Sequence, residues 1–222
     1  MPSVKIPKKS TATDMTPFVD IAFLILSFFI MATKFKPPEP VEIKTPGSVL
    51  SQKLPENNAV MITIDSSNKV YFSVMSEKDK TKYDAIINGI NTSQNLGLSP
   101  AEIANFKQTF AVGVPFAGLK QLLGTDAKEQ AKLKQPGIPV LDTLNNQLIY
   151  WIQQAKAAFA GEKLNYLIKG DGASKYPTFE AVISALKKND EFKYNLVTSL
   201  DDIPVGTELY KREAAGEKDL KK

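Results

Sequence analysis

Met15-Thr16-Pro17-Phe18-Val19-Asp20-Ile21-Ala22-Phe23-Leu24-Ile25-Leu26-Ser27-Phe28-Phe29-Ile30-Met31-Ala32 is the stretch that decides how this chain is organised. As a helix rising about 1.5 Å per residue it reaches roughly 27 Å, the short end of what crosses a bilayer. Apolar groups fall on every face, whereas a helix packed on a globular core carries one apolar stripe and a polar back. The pattern predicts a transmembrane helix over residues 15–33, preceded by a cytoplasmic head over 1–14. Lys5, Lys8 and Lys9 precede the run as they would in a secretory signal. Against that reading, Asp20 interrupts the apolar run, and Met31-Ala32-Thr33-Lys34 lacks a small-x-small cleavage site. Lysines flank the run almost equally. A head of about 14 residues, with the bulk of the chain on the other side, favours a cytoplasmic N-terminus and an exported C-terminal domain.

Working outward, Lys36-Pro37-Pro38-Glu39-Pro40 is a stiff extended spacer within a linker over residues 34–52. Val41-Glu42-Ile43-Lys44-Thr45-Pro46 alternates apolar and charged residues, a short strand pattern that Pro46 ends. Its free edge, at Val41 and Ile43, would suit a partner's strand. A domain over 53–210 follows. Ala59 to Asp65 places Val60, Ile62 and Ile64 on one face, and Ser66-Ser67-Asn68-Lys69 turns into Val70–Val74, a hairpin. Residues 76–137 are polar and helix-prone, with Ser99-Pro100-Ala101-Glu102 as a helix start. A helix is expected over Leu141–Ala160 from the spacing of Leu144, Leu148, Trp151, Ile152 and Ala155, then a strand over Leu164–Ile168. A helix from Tyr176 follows, with Phe179, Val182, Ile183 and Leu186 on one face, and a last strand over Phe192–Thr198. The fold class is therefore one N-terminal transmembrane helix and a small mixed α/β domain with an extra helical insertion. Residues 211–222 form a charged tail.

Composition narrows the chemistry. The 222 residues, 43% hydrophobic and 23% charged, allow one sizeable core but not two large domains. The net charge of +4 comes from scattered Lys without interleaved aromatics, which argues against nucleic acid. The absence of Cys and His removes disulfides, thiol nucleophiles, the commonest metal ligands and every Ser-His-Asp arrangement. Gly113 to Lys120 imitates a phosphate loop, but Leu119 separates Gly118 from Lys120 and Pro115 lacks a cradling N–H. Gly170-Asp171-Gly172 is a strand-ending turn rather than a cation loop. No enzyme, cofactor or metal site is expected.

Asp20 is the residue that carries chemistry. A carboxylate within an apolar membrane helix is costly and generally faces a bundle interior or a water path. Thr16, Asp20 and Ser27 share one face and form a polar line along the helix. The competing reading makes Thr16 the N-cap and Pro17 the first helical residue, leaving Asp20 in a first turn that tolerates it.

Asp14-Met15-Thr16-Pro17-Phe18-Val19-Asp20, followed by the apolar run, resembles the start of the ExbD/TolR family, as does the order of head, span, linker strand and α/β domain. Leu164 to Ser199, with its Tyr176-Pro177-Thr178-Phe179 helix start, is similar to the end of that domain. Residues 76–137 depart from the family, whose typical members are much shorter there. The resemblance implies an inner-membrane subunit of a proton-driven motor, with Asp20 carrying the proton and Thr16 and Ser27 as pore-side polar contacts. It implies a homodimer inside a pentamer of an ExbB/TolQ-like polytopic subunit, and a TonB-like or TolA-like periplasmic partner. The expected role is to energise outer-membrane transport. A TolR-like part in envelope maintenance and a membrane-tethered scaffold without proton transport are the alternatives.

Overall fold

The computed structural model describes residues 15–32, 41–49, 54–55, 57–76, 79–130, 132–142, 144–201 and 207. The chain divides into two compact units, Met1–Pro37 and Pro38–Lys222.

In the first unit, α1 spans Thr16–Ala32, 17 residues. The Met15 carbonyl accepts the first helical bonds, from the Phe18 and Val19 N–H groups at 3.1 Å each. Pro17 sits in the first turn, where its missing N–H leaves no bond unmade. The large apolar side chains of α1 are exposed around the whole cylinder, from 51% at Ile25 to 88% at Met31. The expected helix is thus present. Among the described residues, however, no helix is long and apolar enough to cross a membrane.

The second unit runs β1 (Gly47–Ser48), β2 (Asn57–Ile64), β3 (Val70–Ser76), α2 (Thr81–Gln94), α3 (Pro100–Phe106), α4 (Phe116–Leu123), α5 (Ala127–Gln130), α6 (Leu148–Ala158), β4 (Asn165–Gly170), α7 (Tyr176–Lys187), β5 (Asn195–Val197) and β6 (Ser199–Leu200). Four strands form a mixed sheet in the order β3-β2-β4-β5, with β2–β3 antiparallel and β2–β4 and β4–β5 parallel. The hairpin turn is fixed locally. The Asp65 Oδ1 accepts from the Ser67 and Lys69 N–H groups at 2.8 Å each, and Asn68 takes the left-handed conformation (φ 63°) that Asn tolerates.

Because side chains alternate across a strand, Val60, Ile62 and Ile64 share a face with Phe72, Tyr166 and Ile168, their ladder neighbours. The helices pack there, and all six side chains are buried. Residues 76–137 supply Ile86, Ile87, Ile90, Phe106, Leu119 and Leu123 to this same cluster. They are joined there by Trp151 and Ile152 from α6 and by Val182 and Leu186 from α7. The start of α3 has the expected capping box, with Ser99 Oγ accepting from the Glu102 N–H and the Glu102 carboxylate accepting from the Ser99 N–H. Trp151 is the hub of the core, its ring 5.1 Å from Phe72, 5.9 Å from Phe106 and 6.0 Å from Phe116.

Three boundaries differ from the expectation. The long helix begins at Leu148, not Leu141, and Leu144 is 97% exposed. Asp142 Oδ1 accepts the Leu144 N–H and Asn146 Oδ1 the Leu148 N–H, so short polar side chains hold the backbone in turns. The strand expected over Phe192–Thr198 is only Asn195–Val197, with Phe192 exposed outside it and a further two-residue strand, Ser199–Leu200, after it. The residues Val41 to Pro46 form no strand. The ladder bonds come one step later, at Gly47 and Ser48, which pair in parallel with Ser199 and Leu200.

Candidate functional site

Starting α1 after Met15 moves Asp20 to the fifth helical residue, and the first turn holds no acid. The reading in which Asp20 is a tolerated first-turn residue therefore does not describe this helix. At 100° per residue, Thr16, Asp20 and Ser27 lie within about 40° of one another, and Asp20 and Ser27 are roughly 10 Å apart along the axis. Asp20 is exposed and Ser27 half-buried. Ser27 Oγ donates to the Leu24 carbonyl at 2.9 Å, satisfying itself on its own helix. The polar line is therefore real as geometry: one titratable group on an otherwise apolar cylinder, flanked by two hydroxyls.

The second arrangement is a clamp on the tether, which the sequence did not disclose. Lys44 N–H donates to Asp171 Oδ2 at 3.0 Å, and the Gly172 N–H donates to the Lys44 carbonyl at 2.9 Å. Asp171 Oδ1 accepts from the Ala173 N–H at 2.9 Å, and its own N–H extends the sheet to the Ile64 carbonyl. The N–H donors of Ala173 and then Lys44 hold its carboxyl below the ordinary carboxylate range. Farther along, the Pro46 carbonyl accepts from the Ser199 N–H at 3.0 Å and the Ser48 carbonyl from the Asp201 N–H at 3.0 Å. Pro46, expected to end a strand, instead contributes its carbonyl to one, because a proline loses only its donor. Val41 and Ile43 lie in this tether, half-buried and alternating with exposed Glu42 and Lys44. Gly170-Asp171-Gly172 is the strand-ending turn expected, and its Asp has the further task of gripping residues distant in sequence.

A depressed folded pKa means that the bond from Lys44 stabilises the clamp fully above the ordinary carboxylate range, and that this contribution is lost as pH falls through the lower folded value. Protection of the Lys44 amide against hydrogen exchange is expected to hold near neutrality and to fall below about pH 4. In Asp171→Ala the protection should be weak and the same at both pH values. Unchanged protection in that variant would mean that the Gly172 bond alone holds the tether.

Among the described residues no group of acidic side chains is placed to hold a metal ion. Tyr166 is buried with its hydroxyl unpaired, and burial pushes that group upward, so it stays a neutral core residue.

No curated protein and no solved structure is significantly similar to this chain. The family model for the biopolymer transport protein ExbD/TolR matches residues 7–201, taking in the head of α1, the tether, the helical stretch 76–137 and the sheet. With most of its length matched, the chain belongs to the ExbD/TolR family.

Proposed function

We propose that the chain is the proton-motive-force transducing subunit of a motor like that of ExbB, ExbD and TonB, energising outer-membrane transport, with Asp20 as the proton carrier. The observation that carries this reading is Asp20 at the fifth position of a helix whose other large side chains are apolar and exposed on all sides. Such a surface is disfavoured in water. A carboxylate on it has use where a surrounding subunit supplies a water path. In this reading α1 sits in the inner membrane with the N-terminus cytoplasmic. A helix of 17 residues is accommodated by local thinning of the bilayer and by flanking residues.

Two copies would sit inside an ExbB/TolQ-like pentamer with their Asp20 residues in its interior, Thr16 and Ser27 lining the same side. The tether, through Val41 and Ile43, would receive a strand from a TonB-like partner and pass movement to the α/β domain. Co-expression with a candidate polytopic partner, purification of the complex and reconstitution in liposomes tests this. Proton flux under an imposed gradient is expected from the complex and from neither subunit alone. A stable complex that conducts no protons would overturn the reading.

A further inference from the structure

Outside α1 and the clamp, a cavity of about 170 Å³ opens where the tether meets the end of the helical stretch. It is lined by Val41, Lys69, Tyr71, Lys132, Leu133, Lys134 and Gln135. Its polar floor is fixed. Gln135 is buried, with Oε1 accepting the Gly113 N–H and Nε2 donating to the Ala111 carbonyl at 3.3 Å. The Tyr71 hydroxyl donates to Asp65 Oδ2 at 3.3 Å, and burial, together with the Asp65 charge, pushes it up to about 12. Those partners leave neither group obliged to bind a ligand, and both hold the wall in one geometry.

What is unmatched is charge. Three lysines, the exposed Lys132 and Lys134 and the half-buried Lys69, are among the lining residues with no acidic residue beside them, and none of the three forms an ion pair among the described residues. Asp65 is the acid that the Tyr71 hydroxyl engages. It is 7% exposed and engaged by the Ser67 N–H, the Lys69 N–H and the Tyr71 hydroxyl, so its charge is already answered. Lysine presents a compact point charge, and several together suit a multiply charged tetrahedral anion, whereas a single carboxylate is best matched by the planar fork of arginine.

We propose that this cavity is a binding site for a phosphate group, held by Lys69, Lys132 and Lys134 with Val41 and Leu133 as its apolar wall. Because Val41 belongs to the tether, a bound phosphate ties the tether to the hairpin turn and to the 132–135 segment. The site thus couples ligand occupancy to tether release. This assignment stands whether or not Asp20 carries protons.

The test uses the full-length protein in uncharged detergent with pyrophosphate as probe, followed by calorimetry and thermal unfolding. Saturable binding and a raised Tm are expected for the wild type. Lys132→Ala/Lys134→Ala should bind about tenfold more weakly, whereas Lys187→Ala/Lys188→Ala, at the far end of α7, should bind as the wild type does. Both pairs are exposed and compatible with folding. Equal binding by all three proteins, or none by the wild type, overturns the proposal. Sedimentation with vesicles containing anionic phospholipid, with and without pyrophosphate, separates the sources of phosphate. Competition by pyrophosphate identifies a headgroup ligand, vesicle binding of the wild type that pyrophosphate does not reduce places the lipid elsewhere, and failure of vesicles to bind identifies a free one.

Discussion

Asp20→Asn is expected, under the proposed motor function, to leave the chain folded, membrane-inserted and bound to an ExbB/TolQ-like partner while reducing proton-coupled transport to background. Asn nearly matches Asp in size and still accepts and donates hydrogen bonds, but it has no proton to bind and release at any accessible pH. Because α1 begins after Met15, Asp20 lies outside the first turn, and an amide there disturbs no capping, so the replacement tests the proposed proton role alone. The two readouts are co-purification with the partner and proton flux across liposomes. Asp20→Glu retains the titratable group on a longer arm and should keep measurable but reduced flux, since the path must be spaced for the shorter side chain. An Asn variant that assembles and conducts like the wild type would leave a tethered scaffold in place of a motor subunit. Ser27→Ala should have a far smaller effect, because its hydroxyl is already committed to the Leu24 carbonyl.

Trp151→Ala carries the largest expected loss of stability, about 3–5 kcal/mol, enough to unfold a domain of ordinary stability. Trp151 is fully buried and sits against Phe72 from the sheet, Phe106 from α3 and Phe116 from α4. Its removal opens one cavity touching three elements. Trp151→Phe should cost less, since a ring remains and the indole N–H, buried without a partner, disappears with the substitution. Urea unfolding followed by circular dichroism measures both. As Trp151 is the sole tryptophan, wild-type fluorescence reports on this packing directly, and its emission should shift red in step with the loss of helix. A near-wild-type midpoint for Trp151→Ala would mean that residues 76–137 pack on the sheet independently of α6.

The parts of this fold that were legible in the sequence are those where local chemistry and tertiary packing agree. Val60, Ile62 and Ile64 alternate, the turn after them contains Asp65 and Asn68, and the hairpin forms as read. Ser99, Pro100 and Glu102 specify their helix start without help from elsewhere. Where the apolar spacing was right but the backbone was claimed by polar side chains, the reading overran, as at Leu144 ahead of α6. The tether misled for a different reason. Its strand partner, Ser199–Leu200, lies far along the chain, so nothing within Val41–Ser48 marks which two residues will pair. Asp20 stood out because an acid within apolar sequence is improbable on energetic grounds alone. Asp171 did not, because an Asp between two glycines is what any turn contains, and its hold on Lys44 exists only in three dimensions.

The parallel pairing of β2 with β4 also dictates when the domain can be completed. β2 and β3 adjoin in sequence and can pair within microseconds, but Val60 meets Tyr166 only after α2 to α6 have been spanned. Loop-closure entropy grows only logarithmically, about 0.6 kcal/mol for each doubling of length, so the additional helices within this crossover add little to its thermodynamic cost. Their effect is on order and rate: the hairpin waits with one edge of β2 uncovered until the last quarter of the chain arrives. A newly made chain therefore passes through a stage in which one edge of β2 is open to any extended segment nearby, and β4 must compete for that edge before the domain is whole.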